Sequence, residues 1–140
     1  MNLLFLLWVF FFPGTEEYVK IIPPQKPVEL RMEKEAQVEI YLVPAEGIHI
    51  NGDPMPRFQI VTEKSPLEIN VVKTPALEKG EPFSVLNSKS PFVLNVKMKE
   101  KVKTETKVDE KIKVIYFYCS DKEGWCSRGA DEITLQFIIK

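Results

Sequence analysis

The sequence predicts an all-β fold, an immunoglobulin-like antiparallel β-sandwich, and three observations predict it. Apolar residues recur at every second position in segment after segment, as in strands that bury one face and wet the other. No stretch keeps a 3.6-residue apolar period. Eleven prolines against six glycines in 140 residues cut the chain into short pieces that suit strands and turns better than long helices. Seven or more such strands over about 120 residues fit two sheets packed face to face.

A hydrophobic content of 44% is enough for one domain with a sizeable core. Nineteen basic and twenty acidic side chains leave a net charge of −1. Nucleic acid and anionic membranes call for a basic surface, so neither is an expected partner.

Leu3 to Phe12 is an unbroken apolar run, followed by Pro13-Gly14 and the polar Thr15-Glu16-Glu17. It falls well short of the roughly 20 residues a helix needs to cross a bilayer, so no stable membrane span is expected. It matches the apolar core of a secretory signal. Residues 1–14 are therefore expected to be a signal segment and 15–140 the folded domain, in an exported, oxidising compartment. A buried N-terminal strand is the other reading of the run.

From Tyr18 onward, Val28, Leu30 and Met32 form one inward set and Val38, Ile40 and Leu42 the next. Pro44-Ala-Glu-Gly47 turns the chain into Ile48-His-Ile50, and Asn51 to Pro56 is a loop of turn formers. Leu67, Ile69 and Val71 make a further inward set. Thr74 to Pro91, with three prolines and a glycine, reads as loop or edge structure. Phe92, Leu94, Val96 and Met98 alternate with Val93, Asn95, Lys97 and Lys99. Lys101 to Lys113 mixes both charges and reads as a solvated hairpin between strands. Lys111 to Tyr118 and Asp131 to Lys140 are the last two strands.

Those two strands flank the only cysteines, Cys119 and Cys126, with Ser120, Asp121 and Gly124 as turn formers between them. Opposed residues of an antiparallel pair lie within the span a disulfide can bridge, so a bond between these two is feasible. On the chain-entropy account so short a loop yields about 2.5 kcal/mol, the low end for disulfides. Such a bond can open without unfolding its host. Ile115 and Phe117 make the strand apolar on both faces near Cys119, which should shield that sulfur. Tyr118 and Trp125 each precede a cysteine and could pack over the pair.

Other chemistries find little support. One histidine and two cysteines lack the ligand spacing of a closed zinc site. His49, in a short apolar run with no serine motif beside it, reads as a surface strand residue. The paired carboxylates sit in charge-rich, solvated stretches, where acid-base work lacks the shielding it needs. No glycine loop suits a phosphate. Thiol chemistry is left, and so is the plainer reading of a structural staple.

The cysteine segment resembles the N-terminal periplasmic domain of the thiol:disulfide interchange protein DsbD. That family's Tyr-x-x-Cys, short turn and Gly-aromatic-Cys fall here on Tyr116, Cys119, Gly124, Trp125 and Cys126. Gly47-Ile-His-Ile-Asn51, with prolines following, is similar to the family's strand and loop of that type. The likeness covers most of Gly47 to Lys140, although only the cysteine motif is specific. The loop between the cysteines is one residue longer here than in the best-known members, and Ser127-Arg128 stands where they have Tyr-Pro-Pro.

The resemblance implies a free-standing immunoglobulin-like module that exchanges electrons through Cys119 and Cys126 as a catalytic pair, with no cofactor and no metal. The implied partners are a thioredoxin-like protein or domain and periplasmic disulfide proteins. The implied activity is that of a protein-disulfide reductase or electron-transfer component, with Cys126 joining the partner in the mixed disulfide. Tyr116, Tyr118 and Trp125 would shield or support the pair, and Phe83, in Glu81-Pro-Phe83, would be the aromatic of a covering loop. The alternative is a non-catalytic immunoglobulin-like binding or assembly module with a structural disulfide.

Overall fold

The computed structural model describes residues 17–78 and 84–140. The signal segment expected at 1–14 and the covering Phe83 lie outside the described residues. In chain order the strands are β1 Val19–Ile22, β2 Val28–Leu30, β3 Ala36–Pro44, β4 Ile48–Ile50, β5 Arg57–Ile60 and β6 Leu67–Lys73. They continue as β7 Leu77–Glu78, β8 Val85–Leu86, β9 Phe92–Met98, β10 Lys107–Ser120 and β11 Cys126–Ile139. There is no helix among the described residues.

Two sheets carry the fold, ordered β1-β3-β9-β6 and β2-β11-β10-β4, with β5 also pairing β10. The strands β7 and β8 form a small sheet of their own. Pairing is antiparallel except where β2 runs parallel to β11. The architecture is an immunoglobulin-like sandwich, as the period-two pattern predicts.

The core lies between the sheets. Val38 and Ile40 of β3, with Phe92, Leu94 and Val96 of β9, face Ile112 and Val114 of β10 and Leu135, Phe137 and Ile139 of β11, all buried. Each such side chain contributes on the order of 2 kcal/mol by leaving water. Phe58 of β5 packs on Phe92 with ring centroids 5.1 Å apart and planes tilted by 56°, which ties the two sheets together.

Several elements differ from expectation, each for a local reason. Met32 is exposed, because a turn follows Leu30 in which Lys34 N donates to Arg31 O at 3.2 Å and Glu33 takes a φ of 65°. Val71 is exposed too: a bulge between Val71 and Lys73 breaks the register of edge strand β6 on β9. The segment Lys101 to Lys113 is no hairpin. It links β9 in one sheet to β10 in the other, and its second half is strand. Glu110 there is buried and accepts a hydrogen bond at Oε2 from Ser65 Oγ at 3.0 Å. The strand β5, with only Phe58 and Ile60 as apolar markers, is too short for its period to stand out.

Candidate functional site

The site is the end of the β10-β11 hairpin. Register runs unbroken from Lys107↔Ile138 to Cys119↔Cys126, so the ladder itself brings the two cysteines opposite each other. Their sulfurs are bonded and their Cα atoms lie 4.0 Å apart. The turn beyond them is closed by Ser120 N donating to Trp125 O at 2.9 Å and Gly124 N donating to Ser120 O at 3.1 Å. Gly124 takes a φ of 71°, a left-handed conformation that glycine adopts without steric cost.

The two sulfurs are unequally placed. Cys119 is 3% exposed, whereas Cys126 is exposed at the start of β11. The apolar flanks of Cys119 and the polar Ser127-Arg128 after Cys126 anticipate this difference.

Strand alternation sends the side chains of Tyr116 and Tyr118 to the face opposite Cys119. There Tyr118 meets Tyr18 at 5.6 Å, Tyr116 at 5.7 Å and Trp125 at 5.8 Å between ring centroids, and Tyr18 meets Trp125 edge-on at 5.1 Å. The three expected aromatics are thus together, but on the face opposite Cys119 and not packed over the cysteine pair. Tyr116 Oη donates to Asp131 Oδ2 at 2.5 Å. Burial first, then this bond and the carboxylate's charge, push the phenol well above its ordinary value. Trp125 Nε1 donates to Glu123 Oε2 at 2.5 Å. A cleft of about 480 Å³ opens beside the rings, lined by Glu17, Tyr18, Glu46, Lys122, Glu123 and Trp125 among others.

On the sulfur side the neighbours come from β4. Its register with β10 sets His49 opposite Cys119, so His49, Cys119 and Cys126 stand at one level on three adjacent strands and share a face. His49 is partly buried, and its Nδ1 donates to Asp121 Oδ1 at 2.5 Å. His49 is thus a partly exposed strand residue, as expected, and its register with Cys119 places it on the strand next to the disulfide.

Asn51, next on that face, is 7% exposed and sets Nδ2 3.3 Å from Cys119 Sγ. Backbone contacts pin it: Asn51 N donates to Phe117 O at 2.9 Å, and Asn51 bridges Val85. Gly52 N donates to Ser84 O at 2.9 Å, and Leu77 packs so closely on Gly52 that a Cβ there would lie 2.1 Å from Leu77 Cδ2. The β7-β8 ribbon is thereby docked against the cysteine's neighbour.

Sequence reasoning missed Asn51 as a site residue. The available signal was its alternation with His49 in an apolar strand, which gives β4 one polar face. What that face meets depends on register with a strand far along the chain.

Among the described residues no group of three or more His, Cys, Asp or Glu could hold a metal ion. No helix there is long and apolar enough to cross a membrane. No family model matches the sequence, and no curated protein is significantly similar to it. Among solved structures the chain is similar to murine CRIg, with a TM-score of 0.43 and 6% identity over 89% of this chain and 99% of that one.

Proposed function

We propose that this domain is a thiol–disulfide exchange module that passes electrons between a thioredoxin-like donor and disulfide-bearing acceptors through Cys119 and Cys126. The observation that carries the reading is the unequal exposure of a cystine closing the end of a hairpin: Cys126 open to solvent, Cys119 buried. Exchange needs one sulfur that a partner thiolate can reach and a second that leaves. The pairing of β10 with β11 continues without a break to Lys107↔Ile138, so the hairpin has ample means of holding together when the bond opens. The likeness of the cysteine motif to the DsbD N-terminal domain supports the same reading, and with it an exported, periplasmic setting.

The burial of Cys119 favours a second reading, since a shielded disulfide also suits a structural staple in a non-catalytic immunoglobulin-like binding or assembly module. Potential separates the two. Structural disulfides lie below about −300 mV and exchange-active ones above it. Equilibration against glutathione and thioredoxin buffers is expected to place the Cys119–Cys126 couple in the higher range, with the far-ultraviolet spectrum retained on reduction. A couple below that range, or unfolding on reduction, would favour the staple.

A further inference from the structure

We infer that the side-chain amide of Asn51 is the group that receives Cys119 when the disulfide opens, and that it raises both the rate of opening and the reduction potential. The inference deepens the exchange reading and rests on it for its biological sense.

Asn51 is a buried polar side chain beside the cystine. Both polar atoms of its side chain face one sulfur: Nδ2 donates weakly to Cys119 Sγ at 3.3 Å, and Oδ1 lies 3.7 Å from the same atom, which as half of a disulfide has no proton to give it. A disulfide sulfur is a weak acceptor and carries no proton, so the oxidised protein satisfies neither end of the amide well. Reduction changes both. A thiolate accepts a charge-assisted bond from Nδ2, roughly twice as strong as a neutral one, and a thiol donates to Oδ1. The amide therefore interacts more strongly with the reduced cysteine than with the cystine, which is the condition for raising a potential. Burial at 3% exposure would otherwise penalise the leaving thiolate. Because the Phe117 and Val85 backbone contacts already fix Asn51, the donor is in place before charge develops.

The step balances as follows. A partner thiolate attacks Cys126 Sγ, and a bond forms between those sulfurs as the Cys126–Cys119 bond breaks. The electron pair of the broken bond stays on Cys119 Sγ, which becomes a thiolate facing Asn51 Nδ2. The partner's second thiol loses its proton to water and attacks the partner sulfur of the mixed disulfide, freeing Cys126 as a thiolate. Cys119 takes a proton from water and can then donate to Asn51 Oδ1. The partner dithiol is oxidised to a disulfide and the cystine is reduced.

The test uses the full chain with Asn51→Leu, which keeps the bulk and removes the amide. Ser65→Ala, which removes the hydroxyl that meets Glu110 in the half of β10 away from Cys119, is the control for general loss of stability. Dithiothreitol buffers give the potential, and the rate of reduction by a monothiol gives the opening step. Losing one net hydrogen bond to the reduced form should lower the equilibrium constant for reduction about tenfold, a fall of about 30 mV for this two-electron couple, with slower reduction. A change of less than about twofold, or one matched by Ser65→Ala, would overturn the inference. This comparison is independent of whether the wild-type couple lies in the exchange-active range, so the two ideas can fail separately. Should Asn51→Leu not fold, Cys126→Ala with Asn51 intact answers by NMR. The side-chain amide resonances of Asn51 should titrate with the Cys119 thiol, and an amide that stays still as the thiol ionises would equally sink the proposal.

Discussion

The ring of Tyr116 lies across the bare α-carbon of Gly129, its register partner on β11, so closely that a Cβ at Gly129 would sit 2.3 Å from Cζ and 2.6 Å from Oη. A strand glycine leaves a gap in the pleated surface, and a cross-strand aromatic can fill it. Tyr116 is 5% exposed and tied to Asp131 through its hydroxyl. The ring is therefore not free to swing aside.

Gly129→Ala should accordingly destabilise the domain by about 1–3 kcal/mol, the usual cost of overpacking a filled site. The shift would appear in the denaturant midpoint with little change in slope. A neutral outcome would mean that the ring yields and the hairpin does not depend on this contact.

The same ring predicts an alkaline limb of instability. Burial and Asp131 raise the Tyr116 phenol in the folded state, so above its unfolded value, about 10, the unfolded chain releases a proton that the folded chain retains. Stability should then fall as pH rises through and beyond that value. Tyr116→Phe cannot ionise and should flatten this slope. At neutral pH it should cost about 1.5–3 kcal/mol, the range for a hydrogen bond to a charged group. Stability measured at pH 7, 9.5 and 10.5 for both proteins tests the sign; identical slopes would refute it.

Glu110 gives a prediction away from the cysteines. Its Oε2 takes the Ser65 hydroxyl, which also accepts from Leu67 N at 3.1 Å, while Oε1 is buried without a partner among the described residues. Ser65→Ala would strip the carboxyl of this remaining bond and should cost about 1–3 kcal/mol. Replacing both partners removes the carboxyl that was left unpaired, although Leu67 N still loses the Ser65 hydroxyl. Adding Glu110→Leu to Ser65→Ala should thus bring stability back toward wild type, in a double-mutant cycle read by urea unfolding.

Several of the strands with alternating apolar residues were legible in the sequence. Val38 to Leu42, Phe92 to Met98 and Ile133 to Ile139 stand in the structure as their period says. What escaped was whatever a distant segment decides. Asp131 reads as the start of the last strand, yet β11 begins at Cys126 and Tyr116 fills the gap that Gly129 leaves in it. Glu110 reads as one charge in a solvated run, yet Ser65 lies across from it. The site divided in the same way. Cys119, Cys126 and their aromatic neighbours are contiguous, so local pattern finds them. His49 and Asn51 join them through the pairing of β4 with β10, and no local property of β4 announces that pairing.

The last prediction concerns the two cysteines as partners in exchange. Attack requires a line of approach to the sulfur, and Cys126 is exposed while Cys119 is 3% exposed behind Asn51. A free thiol left at Cys126 is solvated and has Arg128 two residues on, whereas one left at Cys119 is buried out of reach of a partner sulfur. Cys119→Ser should therefore trap a covalent complex with a thioredoxin-like protein whose resolving cysteine has been removed, and Cys126→Ser should trap little or none. Non-reducing gels, with the complex dissolving on added dithiothreitol, would read the result directly. Equal trapping would reject the inequality while leaving exchange in place. No trapping by either variant, with a partner shown to be competent on another substrate, would make the staple the better account of this disulfide.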